Sequence, residues 1–359
     1  MYLKNIELSN FRNYENLNID FVNGTNIIYG NNGKGKTNIL EAIYVSAITK
    51  SYRAQKDMEY INFNAESTQI NSCFSKEDID FNVEVFADKT GNKCIKEDGL
   101  KINKYTEFIG KFPIVLFCPE DMDIVKGAPK NRRKFLDILI SQISKKYVIT
   151  LSEYKKTINM KNSLLKFDKG KIDLNYLKII NEKLAGQILE IVSRRKEYIE
   201  KLLVYAKEIQ KKISKESEEL DLIYITEFKD MNYEQILDTL NNSIDSDIFK
   251  KTSTKGVGHD DFLVLVNGNE VSKYGSQGQN RTAMLALKIG EAKLLEKEKE
   301  TLPIVLLDDV FSELDNERIN FLLEYIKSFQ TVITTTTIEN IRIADAKIFA
   351  INELAKWKI

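Results

Sequence analysis

Residues Gly30-Asn31-Asn32-Gly33-Lys34-Gly35-Lys36-Thr37 constrain this chain more than any other stretch, because they fit the pattern G-x-x-x-x-G-K-[ST]. Such a loop demands a strand that delivers it and a helix that leaves it. Both are legible: Thr25 to Tyr29 is a short apolar run, and from near Gly35 the residues Ile39, Leu40 and Ile43 recur at helical spacing, with Val45 following. Glycines allow backbone N–H groups to curl around a phosphate, and the helix N-terminus adds its positive end. Lys36 is expected to reach the outer phosphates and Thr37 to offer a hydroxyl to Mg2+. A glycine turn with an incidental Lys-Thr pair is the bland alternative.

A second half of such a site lies near the other end. Leu302-Pro303-Ile304-Val305-Leu306-Leu307 is an apolar strand that finishes in Asp308-Asp309. Asp308 is placed to hold Mg2+, commonly through water, and Asp309 to orient or deprotonate an attacking water, which makes Lys36 and Asp309 the catalytic candidates. Alone, two acids after a strand could equally be turn residues. Between the halves, Ser276-Gln277-Gly278-Gln279 matches S-x-G-Q and opens an apolar helix, 32 residues before Asp308. In ABC ATPases the corresponding element binds the γ-phosphate of a nucleotide held by the opposite subunit, so Ser276, Gly278 and Gln279 are expected to contact a partner's ATP. An ordinary N-cap is the alternative for Ser276. Kinases and GTPases complete their sites within one small domain; here the parts are over two hundred residues apart, which implies a homodimer with ATP at its interface. Asp309, where transport ATPases carry Glu, is compatible with slow hydrolysis.

The texture of the chain reads sheet, helical insertion, sheet. Strands are expected at 2–9, 16–22, 25–29, 68–74, 79–87, 93–103 and 113–118. Helical periodicity runs from Pro129 and again over 174–214, and strands return after Leu220. A helix is expected over 277–299, a strand over 303–308, a helix over 311–329 and a β-rich stretch over 331–337. The fold class is therefore α/β: an ABC-type P-loop ATPase head with a mixed sheet lobe, and a helical, basic second lobe inserted in the chain. The expected divisions are 1–125, 126–218 and 219–359.

Charge supports the insertion. The chain balances 53 Lys and Arg against 53 Asp and Glu, yet Lys126 to Lys215 holds 23 basic and 9 acidic residues, a surplus of +14 that the remainder cancels. Arg132, Arg133, Lys134, Arg194, Arg195 and Lys196 are the candidate DNA contacts, read as phosphate rather than base contacts. A solvated lysine-rich surface is the competing reading.

Other classes find no support. No apolar run, Ile304 to Leu307 among them, comes near the length that spans a bilayer, and the alternating N-terminus lacks the apolar stretch of a secretory signal, so a cytoplasmic protein is expected. Cys73, Cys94 and Cys118 have the spacing of neither a zinc site nor a disulfide framework. Thr334 to Thr337 offers no histidine in the place of an ABC switch, and His259 is more simply a solvated loop residue.

Asn10-Phe11-Arg12-Asn13-Tyr14, Gly30 to Asn38, Pro119-Glu120-Asp121, Lys126 to Pro129 with Arg132-Arg133 and Phe135-Leu136-Asp137, Gly275 to Thr282, and Leu306 to Asp315 together resemble the RecF family from end to end. The resemblance implies an ATP-dependent dimer on double-stranded DNA near single-strand gaps, cooperating with RecR and RecO to load RecA in repair and the SOS response, and a weak, DNA-stimulated ATPase. By residue it implies phosphate and Mg2+ roles for Lys36 and Thr37, metal and water roles for Asp308 and Asp309, trans-nucleotide roles for Ser276 and Gln279, and a cross-dimer contact for Asp315 in the stretch Ser312-Glu313-Leu314-Asp315. Two segments depart from the family pattern: Gly256-Val257-Gly258-His259-Asp260-Asp261 replaces Gly-Pro-His-Arg-Asp-Asp, and Tyr52 stands where the family usually shows His. The alternatives are another SMC-like head, or a nucleotide-gated DNA clamp with negligible turnover. An SMC protein, however, needs hundreds of heptad residues that this arm lacks.

Overall fold

The computed structural model describes residues 1–167, 172–312, 314–337 and 345–354. The chain divides into two compact units, one of Met1–Asp121 with Met284–Ile359, the other of Met122–Ala283.

The first unit opens with β1 (Tyr2–Phe11) and β2 (Tyr14–Asp20), joined at the Arg12-Asn13 turn, and continues with β3 (Thr25–Tyr29) and α1 (Lys36–Ile48). Then come β4 (Ser67–Lys76), β5 (Ile79–Asp88), β6 (Lys93–Glu97), β7 (Leu100–Lys101), α2 (Tyr105–Phe108) and β8 (Ile114–Phe117). Six of these strands form an antiparallel sheet in the order β2-β1-β4-β5-β6-β7. Helix α1 packs against strands of this sheet and of a second, parallel one. Buried from both sides, it is apolar nearly all round instead of along one stripe.

The second unit holds α3 (Met122–Lys126), α4 (Pro129–Ile143), α5 (Lys145–Leu164) and α6 (Leu174–Ile213), followed by β9 (Leu220–Ile225), α7 (Tyr233–Asn242), α8 (Ile244–Lys250), β10 (Asp261–Val266), β11 (Asn269–Glu270) and α9 (Val271–Tyr274). Helix α6 has 40 residues, about 60 Å at 1.5 Å per residue, and starts where the Asp173 side chain accepts from the N–H groups of Asn175 and Tyr176. Helices over 233–250 are not among the expected elements. Their signal is the capping box Asn232-x-x-Gln235 ahead of Ile236 and Leu240. The unit also extends past the expected boundary at 218, to Ala283, because β9 and β10 bury Leu220, Leu222, Phe262 and Val264 and pack on α6 and α4.

Helix α10 (Gln277–Lys299) contains the boundary at Ala283, and the first unit resumes with β12 (Ile304–Asp308), a 3-10 turn at Val310–Ser312, α11 (Asn316–Ile326), β13 (Thr331–Thr335), β14 (Lys347–Ala350) and α12 (Ile351–Leu354). The parallel sheet is ordered β14-β3-β13-β12-β8. Its central strands are buried on both faces, which is why Ile304 to Leu307 reads as one apolar run. The Gln330 side chain accepts the Leu3 N–H at 2.6 Å and donates to Leu3 O and Val22 O, tying the late part of the chain to its start.

Candidate nucleotide-binding site

β3 delivers the glycine loop and α1 leaves it, both in the first unit. Gly33 and Gly35 have φ of +76° and +90°, the left-handed region that favours glycine. A Cβ on Gly35 would also stand 2.7 Å from Tyr14 Oη and from Asn13 Nδ2, so the Asn13-Tyr14 turn fixes the loop from behind. Lys36 donates from Nζ to Gly30 O at 2.6 Å and Asn31 O at 3.0 Å, which coils its chain over the loop and leaves its third proton for an incoming phosphate oxygen. Burial lowers the Lys36 pKa, and Asp309 and Asp308 oppose that shift, so an ammonium and two acids meet at one point. Asn32 and Lys34 are exposed at the loop rim.

Asp308, the buried last residue of β12, lies beside the loop because β13 and β3 are successive neighbours of β12 in the sheet. Its Oδ1 accepts hydroxyl hydrogens from Thr37 and Thr334, each at 2.8 Å, and its Oδ2 accepts one from Tyr52 at 3.2 Å. A hydroxyl that donates to a carboxylate presents its lone pairs elsewhere, so Thr37 is oriented to offer oxygen to a cation. Hard oxygen donors of this kind suit Mg2+. Among the described residues there is no group of three or more His, Cys, Asp or Glu that could hold a metal ion. Asp309 follows with φ +50°, a strained value for a non-glycine residue. Its N–H is held by Thr334 through both Oγ1 (3.1 Å) and O (3.3 Å).

Several supporting residues escaped the sequence reading. Glu41, wholly buried on α1, receives both Nε and Nη2 of Arg12 at 2.8 and 2.6 Å and the Ser51 hydroxyl at 2.5 Å, with Arg53 at 3.5 Å. An acid within an otherwise apolar helix was the available signal. Thr334 drew notice only for not being histidine, and Tyr52 only as a departure. Desolvation pushes the Tyr52 phenol well above its ordinary value, with Asp308 adding to the effect, so it remains a neutral donor.

Ser276 and Gln279 lie in the second unit and close a capping box at the head of α10: Gln279 N–H donates to Ser276 Oγ at 3.1 Å, and Ser276 N–H to Gln279 Oε1 at 3.0 Å. The ordinary cap and the expected phosphate contact are compatible, because Ser276 is exposed and the cap uses its hydroxyl oxygen only as an acceptor. Gly278 O accepts the Thr282 hydroxyl one turn on. Ser276→Ala is expected to cost about 1 kcal/mol from loss of the cap. A urea midpoint unchanged by this substitution would contradict the capping geometry.

Asp315 caps α11, accepting from Arg318 N–H at 3.0 Å and pairing with its guanidinium, which together hold the carboxyl below its usual range. Glu313 lies outside the described residues. The candidate DNA contacts divide sharply. Arg195 is 2% exposed, with Nη1 2.7 Å from Asp260 and Nη2 2.9 Å from Asp137, and it also donates to Val257 O. Arg132 is 7% exposed and clamps Asp261 in bidentate fashion at 2.7 and 2.9 Å. Neither can reach a phosphate, which corrects the expectation for both. Arg133 donates to Asp260 O, Arg194 pairs with Glu190 and Glu197, Lys196 pairs with Asp230 at the surface, and Lys134 is exposed. Asp260 and Asp261, the residues of this segment that keep the family pattern, are therefore an ionic anchor, and His259 in the departing part beside them is exposed. Over the second unit as it folds, 29 Lys and Arg face 23 Asp and Glu, a surplus of +6, well below the +14 of the sequence window.

No helix of the described residues is long and apolar enough to cross a membrane. Residues 2–355 match the family described as the RecF/RecN/SMC N terminal domain. The chain is 39% identical over 360 residues to the DNA replication and repair protein RecF of Clostridium tetani, covering 98% of each. Two solved structures, described as the recombination mediator protein RecF-ATPrS and RecF-ATP in the RecFOR pathway, superpose with TM-scores of 0.89 and 0.88 at 36% identity, over 98% of this chain and 96% and 97% of theirs. With its phosphate loop, paired acids and serine-capped helix arranged as described, the chain belongs to the RecF family.

Proposed function

We propose that this chain is a RecF-type ATPase of DNA replication and repair, working in the cytoplasm as a homodimer that ATP closes on DNA and hydrolysis releases. The observation that carries this reading is the convergence of Lys36, Thr37, Asp308 and Asp309 on one point of the first unit, beside a glycine loop open to a triphosphate. The loop amides and the head of α1 bind the phosphates, and Lys36 neutralises their outer charge. Thr37 and Asp308 would hold Mg2+, which when bound supplies charge neutralisation across the phosphate oxygens. Asp309 accepts a proton from the attacking water. Ser276 and Gln279 bind the γ-phosphate held by the second copy, and Asp315 meets that copy nearby, so each site is finished only in the dimer.

By the same resemblance the DNA is double-stranded and gapped, and RecR and RecO are partners through which RecA is loaded. Sedimentation of the pure protein with ATP, with ADP and without nucleotide tests the switch, each with and without duplex DNA. A monomer-to-dimer shift confined to ATP is expected, and a sedimentation coefficient indifferent to nucleotide would refute it. A second reading, a clamp that barely turns over, draws support from Asp309, whose side chain is shorter than a glutamate's and starts from a backbone position of φ +50°, so it orients a water less well. Steady-state phosphate release with and without DNA separates the two.

A further inference from the structure

Three hydroxyls converge on the Asp308 carboxylate. Two come from the neighbouring loop and strand and share Oδ1; the third, that of Tyr52, approaches Oδ2. A carboxylate held through one oxygen still turns about its last torsion, which is broad and roughly two-fold. A donor on the other oxygen fixes its plane. We propose that Tyr52 is a positioning residue for the Mg2+-holding carboxylate, locking Asp308 so that the Thr37 hydroxyl keeps its lone pairs turned toward the cation. The inference rests on the Mg2+-ATP reading of this site and adds to it a residue outside the recognised motifs.

Tyr52 is itself fixed. Its ring meets that of Tyr44 on α1 edge-on, centroids 5.4 Å apart at 79°. The turn that carries it is pinned by Ser51, whose hydroxyl oxygen accepts the N–H groups of Arg53 and Ala54 at 2.9 and 2.8 Å while donating to Glu41. The turn thus holds the phenol toward Asp308, and a group that orients a ligand in this way tunes metal affinity without touching the metal.

Tyr52→Phe removes the hydroxyl and keeps the ring packing, so it separates the two roles. Binding of a non-hydrolysable ATP analogue is measured by calorimetry in EDTA and across a Mg2+ titration, together with the melting temperature of the nucleotide-free protein. The Mg2+ concentration for half-maximal effect is expected to rise on the order of tenfold, while affinity in EDTA and the melting temperature stay at wild-type values. An unchanged Mg2+ dependence overturns the proposal. So does an equal loss of affinity with and without Mg2+ accompanied by a lower melting temperature, which would mark a packing residue. If the wild-type protein itself gains no affinity from Mg2+, the underlying site reading fails, and that outcome is recognisable before any variant is made.

Discussion

Lys36→Met will abolish ATP-driven dimerisation, whereas Asp309→Asn will keep the dimer and stop it from coming apart. The Met side chain cannot donate to the Gly30 and Asn31 carbonyls or meet a phosphate with charge. Hydrogen bonds to charged groups are worth about 1.5–3 kcal/mol each, so losing the ammonium should weaken ATP binding by roughly a hundredfold. Asp309 stands at the other stage of the cycle. Its removal as a base costs about 10²–10⁴ in turnover, with the phosphate contacts intact, so the ATP-bound dimer accumulates. Sedimentation and phosphate release on the two variants check the pair. The opposite pattern, a dimeric Lys36→Met and a monomeric Asp309→Asn, would reverse the roles assigned to the two residues.

Arg195→Ala will destabilise the second unit by about 3–5 kcal/mol, because it strands the buried carboxylate of Asp260 and removes the charge partner of the partly exposed Asp137. Burial by itself lowers the arginine's pKa, but Tyr147, Asp137, Tyr224 and Asp260 more than reverse it, so the guanidinium stays charged. Lys196→Ala, one residue on, removes only a surface pair with Asp230 and should leave the urea midpoint close to that of the wild type. Urea unfolding of the two variants makes the contrast. Equal midpoints would show that the Arg195 hub contributes nothing. Any loss of DNA affinity in an Arg195 variant must first be corrected for its unfolded fraction.

The sequence made the candidate phosphate site legible because its parts are local, a loop of eight residues and a strand ending in acids, and the serine at the head of α10 was legible in the same way. The long helices and the buried parallel strands were legible for the same reason, since their periodicity is carried by consecutive residues. What stayed hidden was pairing at a distance. Arg195 and Asp260 lie 65 residues apart, and Arg132 and Asp261 lie 129 apart, so a charge count over a window scores the bases as free and assigns their partners to another region. Thr334 and Tyr52 act on Asp308 across 26 and 256 residues, and only the sheet order brings them there. The boundary at 218 was misplaced likewise, because a strand's allegiance depends on the helix it covers.

The strand order of the parallel sheet also sets a timetable for biosynthesis. β3 and β8 emerge early from the ribosome, but β12 and β13, synthesised only after the whole intervening unit, are the strands that stand between them. Until translation passes Thr335, the glycine loop lacks its acidic neighbour on β12, and α1 lacks the two central strands of the parallel sheet against which it packs. The nascent N-terminal third must therefore wait with apolar edges unprotected while the intervening unit is made, a period in which exposed apolar surface and unpaired strand edges favour aggregation.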